Sequence, residues 1–417
     1  MPPPLVLTLP LPLEGLGMTP FGGLLLFLTL AVGVLTSVYA LRTPGGSGHL
    51  ALFLFFLIVA VLLFMVDNAL LFFLLWFVAA LLAWGIGQNA LGEEREGTSI
   101  LFLQLSGWVA ITATGICFFV LHVSGGNTFS LSAMKPETTT WAGPVLLVSM
   151  LLMTSALMGC AWRGGRQPVA AAAGAFLATA GVFVMSVYPF AKLVLGIFGP
   201  LLDWRDLSLL VCLAVAVALA LAALGEDDTR RIVSYLSFAQ LLLVFVALSQ
   251  PNRQGLASAV LLLVGYTFSC TAVFVALGAA ERRGGAQRLS ALGGLAAVSP
   301  GGAALFATAG LALAGLPPLG AFVGHLMLAN SLMRLNALWP ALLYAAGFVL
   351  IVFGFLRLFG GVYLGPLTAS APSDAGERPR RLAVIAILPL AVAVVLAALA
   401  PFWGAGIMDT VAADLLR

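Results

Sequence analysis

"LALAGLPPLGAFVGHLMLAN", residues 311–330, is almost wholly apolar, yet Pro317 and Pro318 stand where a buried helix should run on, and His325 follows within two turns. Proline lacks the N–H that an interior turn needs and clashes with the preceding turn, so the stretch predicts a helix broken in two. In water such a break is a loop. In lipid it lets irregular backbone line a polar pocket. Which of the two applies is decided by the rest of the chain.

Of 417 residues, 62% are hydrophobic and only 8% are charged, and the mean hydropathy is positive. This composition excludes an ordinary water-soluble globule. Runs long enough to cross a core of roughly 30 Å at about 1.5 Å per residue recur along the chain. Twelve are read, at about 21–42, 49–66, 68–87, 99–122, 144–162, 168–188, 207–225, 230–249, 256–280, a broken one at 302–334, 336–360 and 382–403. The alternating pattern of a membrane barrel is absent, so the expected fold class is an all-α polytopic membrane protein with about 12 transmembrane helices, one domain over 1–417.

Placing the first segment outside-to-inside puts Arg42, Arg95, Arg163, Arg166, Arg230, Arg231, Arg282, Arg283, Arg288, Arg357, Arg378, Arg380 and Arg381 on the inner side. The other side receives Lys135, Lys192, Arg205, Arg253, Arg334 and Arg417. This bias predicts both termini outside or periplasmic. The N-terminal "MPPPLVLTLPLPLEGLGM" has no basic n-region and no small-residue cleavage site, so a cleaved signal peptide is not expected.

The longest loops, about 123–141, 188–206 and 363–381, are too short to fold alone, so function is expected in the helix bundle. Cys117, Cys160, Cys212 and Cys270 lie inside apolar runs without metal-ligand spacing; neither a disulfide nor a zinc site is expected. Walker A, dinucleotide and HExxH motifs are absent. The small net positive charge is spread over loops and argues topology, not nucleic-acid binding.

Several segments taken together resemble the antiporter-like subunits of respiratory complex I, group 4 membrane-bound hydrogenases and multi-subunit cation/proton antiporters. "LPLPLEGLGMTPFGGLLLFLTLAVGVLTSVYALR" is similar to the family's third helix and its lead-in. In "GEDDTRRIVSYLSFAQ" (225–240), Asp228, Arg230, Arg231, Tyr235 and Ser237 fill the places of a basic-aromatic helix start. "GLPPLGAFVGH" (315–325) resembles the broken helix and "LRLFGGVYLGP" (356–366) the end of the next. Order and spacing match from about 10 to 366, with the first two of the usual fourteen helices lacking. Tyr266 and Phe274 in "YTFSCTAVF" resemble the N-type subunit of NADH-quinone oxidoreductase.

The resemblance implies a chain of charged residues inside the membrane, and here most of it is replaced. Phe77 follows Trp76 where the family has glutamate; Ser155, or Thr154 one register away, and Thr179 stand at lysine positions; Cys270 takes a further one. Only His325 keeps an ionisable group, at the broken-helix lysine. A hydroxyl passes a proton along a water chain but does not hold a charge near neutrality. The family frame with most of its wire deleted implies a subunit that lines or caps a proton path without pumping on its own.

The candidate proton-path residues are His325, Ser155, Thr179, Lys192 and Tyr266, with the break at Pro317 and Pro318. His325 reads either as a neutral imidazole bonded to a carbonyl freed by the prolines or as a relay, since its ordinary pKa of about 6.5 permits titration. Asp228, Arg230 and Arg231 read as a helix cap or as a docking point for a hydrophilic partner. Lys192 reads as interfacial and pointing outward, or as a relocated cation of the path. Arg357 reads as snorkelling to the inner surface. Asp67 and Asn68 read as a helix terminus, with proton uptake as the alternative.

Redox cofactors are expected in partner subunits and none in this chain. The expected partners are the bilayer, other membrane-arm subunits and hydrophilic redox subunits of a redox-driven proton-translocating oxidoreductase. Arginine outnumbers lysine, which points to a GC-rich bacterial genome; the expected location is the bacterial inner membrane. Alternatives are a cation/proton antiporter, an inorganic-carbon uptake complex or a structural scaffold.

Overall fold

The computed structural model describes residues 18–41, 43, 46–91, 98–124, 131, 141–162, 168–196, 205–250, 252–317, 319–335 and 338–367. The expected last segment, 382–403, and Pro318 lie outside these residues. The described residues form helices and contain no strand: α1 (Pro20–Leu41), α2 (Ser47–Met65), α3 (Ala69–Leu91), α4 (Thr98–Ser124) and α5 (Ala142–Trp162) come first. There follow α6 (Pro168–Phe176, continued by π-helical turns to Leu195), α7 (Arg205–Gly225), α8 (Thr229–Leu248) and α9 (Arg253–Gly284). A single turn, α10 (Leu295–Val298), leads to α11 (Pro300–Leu313), α12 (Gly320–Met333) and α13 (Trp339–Tyr363).

Nine helices among the described residues are long and apolar enough to cross a membrane. The protein is an all-α polytopic membrane protein. α11 and α12 have 14 residues each. Each is about 21 Å long, too short to cross a 30 Å core alone, so the two halves make one crossing end to end. The break closes with N–H donors of Ala314, Gly315 and Leu316 bonding back to Gly310, Ala312 and Leu311. α12 restarts at Gly320 from Leu319 in an extended conformation.

Burial sorts the helices. α6 lies wholly inside the bundle, and α8 and α9 nearly so, whereas α1, α2, α3, α7 and α13 turn a face of large apolar residues outward, Phe27, Phe55, Leu74, Leu221 and Phe353 among them. Such a face suits lipid or neighbouring subunits, where backbone must be paired internally and side chains are apolar. α9 takes α12 at close range: a Cβ on Gly265 would stand 2.7 Å from that of Ala321. Glycine there lets the second half of the broken helix lie directly on the buried core.

α6 departs from the sequence reading, which ended it near 188. It continues as π-helical turns at Leu177–Gly181, Phe183–Val187 and Phe190–Leu195, so Lys192 sits on the same helix as Thr179 and not in a loop. A π turn takes carbonyls out of regular pairing, and side chains from other helices reach them. Tyr266 on α9 donates to Ala178 O (2.8 Å) and Trp76 on α3 donates to Met185 O (3.1 Å).

Candidate functional site

α8 begins where Asp228, in extended backbone, turns its carboxylate onto the N–H groups of Arg230 and Arg231, both at 3.0 Å. Two helix-start donors are satisfied in this way. Arg230 reaches α9: Nη2 stands 2.7 Å from Glu281 Oε2, and Nε donates to the same oxygen at 2.8 Å. Thr229 Oγ1 donates to the other carboxylate oxygen at 2.7 Å. Both ions are buried, so each is compensated chiefly by the other. The sequence reading did not single out Glu281.

The same end of the bundle is tied across loops. Asp227 receives the Ser290 N–H (2.9 Å) and hydroxyl (2.7 Å), bonds that hold its carboxyl below the usual aspartate range, with Arg288 and Arg357 adding to the effect. Arg357 also reaches this end of the bundle. Its guanidinium donates to Ala223 O (3.2 Å) and Glu226 O (2.8 Å), closing the carbonyl end of α7. Arg282 donates to the Tyr39 hydroxyl.

From this end a polar stripe climbs α8. Arg230, Ser234, Ser237 and Gln240, spaced by four, three and three residues, share one helix face and are all buried. Ser237 accepts the Cys270 thiol from α9 at 3.6 Å. Gln240 ends on His325: its Nε2 lies 2.7 Å from the ring Nε2. The other ring nitrogen, Nδ1, lies 2.9 Å from the Tyr344 hydroxyl on α13, and that hydroxyl donates to the His325 carbonyl at 3.1 Å.

One proton arrangement agrees with these bonds. With its hydrogen on the His325 carbonyl, Tyr344 Oη accepts from Nδ1–H, and the Nε2 lone pair accepts from the Gln240 amide. The partners of His325 are therefore two side chains from α8 and α13, not a carbonyl freed by the prolines. Phe348 covers the ring, centroid to centroid 4.9 Å. The break contributes space instead: Gly315, at φ +74°, lies where any Cβ would meet the imidazole.

Beyond His325 toward the other end of the bundle, Ser331 on α12, Gln250 and Asn252 form a second polar cluster. Asn252 Nδ2 donates to Ser331 Oγ at 2.8 Å, and that hydroxyl lies 3.3 Å from Gln250 Oε1. Leu328, fully buried, stands between them and His325 along α12.

The remaining candidates fall into separate places. Thr179 donates to Ala175 O of its own helix (2.6 Å), beside the Ala178 carbonyl that Tyr266 holds. Ser155 is half-buried on α5, and its neighbour Thr154 is buried and bonded to Met150 O. Lys192 Nζ donates to Val66 O (2.5 Å) and stands 3.7 Å from Asp67 in the α2–α3 link. Phe77 packs near Trp108. Pro317 is exposed at the break. No group of His, Cys, Asp and Glu able to hold a metal ion occurs among the described residues.

Residues 97–354 match the model of a protein family described as NADH:quinone oxidoreductase/Mrp antiporter, TM. The chain belongs to this family. It is 27% identical over 216 residues, 52% of this chain and 41% of the relative, to NADH-quinone oxidoreductase subunit N of Granulibacter bethesdensis. Subunit M of Rhodobacter capsulatus is also 27% identical, over 49% of this chain and 40% of that protein. Both N- and M-type relatives match. An NAD(P)H-quinone oxidoreductase chain 4 of a Synechococcus species is 26% identical over 88% of this chain and 74% of its own length. Against the N and M relatives the chain spans about two-fifths of their length.

The fold is that of this NADH:quinone oxidoreductase/Mrp antiporter family. A chain of respiratory complex I from Thermus thermophilus superposes with TM-score 0.78 at 20% identity, covering 97% of this chain and 88% of that one. A chain of the Mrp complex from a Dietzia species also reaches 0.78, at 18% identity over 94% and 84%.

Proposed function

We propose that the chain is a membrane-arm subunit of a multi-subunit, complex I-like respiratory assembly, in which His325 carries protons and the chain alone does not pump. The observation that carries this reading is His325 itself, buried at the break and hydrogen-bonded at both ring nitrogens. A charged side chain costs at least about 2.5–3.5 kcal/mol in mid-membrane, and an ionisable residue there marks a functional site.

The polar stripe of α8 supports a route to it. Ten residues from Arg230 to Gln240 rise about 15 Å, half of a 30 Å core. Arg230, Arg231, Arg282, Arg288 and Arg357 gather at the end where that stripe begins, which favours this end as the inner side. Ser331, Gln250 and Asn252 supply polar groups on the other side of His325.

Independent pumping needs further charged stations, and their places hold Phe77, Ser155, Thr179 and Cys270. Two of those hydroxyl or thiol groups are already committed, Thr179 to its own helix and Cys270 to Ser237. Redox chemistry then belongs to partner subunits, which supply the driving force. In purified assembly rebuilt into vesicles, His325→Ala is expected to abolish coupled proton transfer while subunit composition stays intact; unchanged transfer contradicts the reading. The chain alone in vesicles is expected to pass no protons. The likeness to the Mrp complex supports a second reading, a subunit of a cation/proton antiporter, and partners without any redox protein would favour it.

A further inference from the structure

Gln240 and Gln250 lie on the same segment of chain and are both buried, but they are used differently. Gln250 has both halves of its amide engaged: Nε2 donates to Val246 O at 3.0 Å and Oε1 faces the Ser331 hydroxyl at 3.3 Å. Gln240 has one half on His325, while Oε1 has no hydrogen-bond partner among the described residues. A half-turn of the Gln250 amide breaks two bonds. A half-turn of the Gln240 amide breaks only the bond to His325 and replaces it with its mirror, N–H···O for N···H–N.

We propose that Gln240 is a two-way positioning residue for His325, donating to Nε2 of the neutral ring and, turned over, accepting from Nε2–H of the protonated ring. This rests on the reading of His325 as a proton carrier. When a proton from the path joins the Nε2 lone pair, a new N–H bond forms and the ring becomes imidazolium. Nδ1–H stays on Tyr344 Oη, and Nε2–H now points at Gln240 Oε1. Loss of the proton reverses both changes, and no electrons move.

The surroundings fit a ring that keeps its place while its partner turns. Gly315 leaves room at the Cδ2–Nε2 edge that a Cβ would fill, Phe348 covers the ring, and Tyr344 holds Nδ1 and the backbone carbonyl of the same residue. Ring rotation would break the Tyr344 bond. The amide, bound at one point, is the part free to answer a change of charge. Among the described residues no carboxylate, lysine or arginine is hydrogen-bonded to His325, so a neutral, reversible partner is what this site offers to both states.

The test is nitrogen NMR of the full chain in bilayers with 15N-labelled histidine, taken from neutral to acid pH. The chain has 3 histidines, and the His325 signals are isolated by subtracting the spectrum of His325→Asn. Wild type is expected to show the Nδ1–H neutral form with a hydrogen-bonded Nε2, then imidazolium on acidification. Gln240→Leu should lose the Nε2 hydrogen-bond shift and reduce the imidazolium-to-neutral ratio at matched pH about fivefold or more, because it removes a stronger bond from the charged ring than from the neutral one.

Gln240→Glu, which keeps the shape and an acceptor, should restore or exceed the wild-type imidazolium signal. An unchanged His325 spectrum in Gln240→Leu, or no imidazolium in Gln240→Glu, overturns the inference. Proton transfer lost in His325→Ala but fully kept in Gln240→Leu would reject the role of Gln240 alone. Transfer kept in both would reject the carrier reading itself.

Discussion

A Cβ at position 315 would overlap the Cδ2–Nε2 edge of the His325 imidazole, and Gly315 itself holds φ at +74°. The helix break and the histidine ten residues later are thus one device: the turn that ends α11 supplies the space in which the ring sits. Left-handed backbone costs a residue with a Cβ about 1–3 kcal/mol, before any clash is counted. Gly315→Ala is expected to lower the thermal midpoint of the chain in detergent and to abolish proton transfer in the assembly. A fully active, fully stable Gly315→Ala variant would mean that the ring does not depend on the break.

The Arg230–Glu281 pair joins α8 to α9 where the polar stripe begins. Removing one buried partner leaves an uncompensated charge, a loss of about 3–5 kcal/mol. Arg230→Met and Glu281→Met are each expected to destabilise strongly, and the double variant is expected to recover much of the loss. A double-mutant cycle by thermal or denaturant unfolding reads this directly. Additive losses would show that the two side chains do not act as a pair.

Tyr266→Phe removes the donor to Ala178 O within the first π-helical turn of α6. Losing one buried hydrogen bond costs about 0.5–1.5 kcal/mol. The variant is expected to unfold at lower temperature, with Trp76→Phe acting in the same direction through Met185. If Tyr266→Phe also slows proton transfer while Trp76→Phe does not, Tyr266 does more than hold the π turn.

Asp227 gives a pH signature outside the membrane. Its folded carboxyl is held below the usual range by Ser290 first, and then by Arg288 and Arg357. A depressed carboxylate adds stability above its unfolded value of about 3.9, and that contribution disappears as pH falls through the folded value. Ser290→Ala is therefore expected to be less stable than wild type near neutral pH, with the gap closing below about pH 3.9. A gap independent of pH would point to the hydroxyl's packing alone.

The order of the helices was legible in the sequence because lipid leaves so few choices: eighteen or more apolar residues between arginine-bearing loops must be a helix. The break was legible for the same reason, since Pro317 has no other use in an apolar run. The π-helical course of α6 was not, because "ATAGVFVMSVYPFAKLVL" reads as one apolar periodicity whichever turn it adopts. Lys192 was misplaced with it.

Gln240 is the main omission. Its contact with His325 is tertiary, and a single amide in "LSFAQLLL" carries little local signal. The four-three-three spacing of Arg230, Ser234, Ser237 and Gln240 was available and points at one face. Glu281 meets Arg230 only through the antiparallel packing of α8 and α9, which no local pattern announces. Arg357 needed the same knowledge, since its acceptors belong to the end of α7.

The central claim is that protons pass through the imidazole at the break. It is tested most directly by coupled proton transfer in vesicles containing the purified assembly, comparing wild type, His325→Ala and His325→Lys with subunit composition checked in each. Transfer is expected to be lost in His325→Ala and at least partly kept in His325→Lys, which keeps an ionisable group beside Gly315. Wild-type transfer in an intact His325→Ala assembly would contradict it.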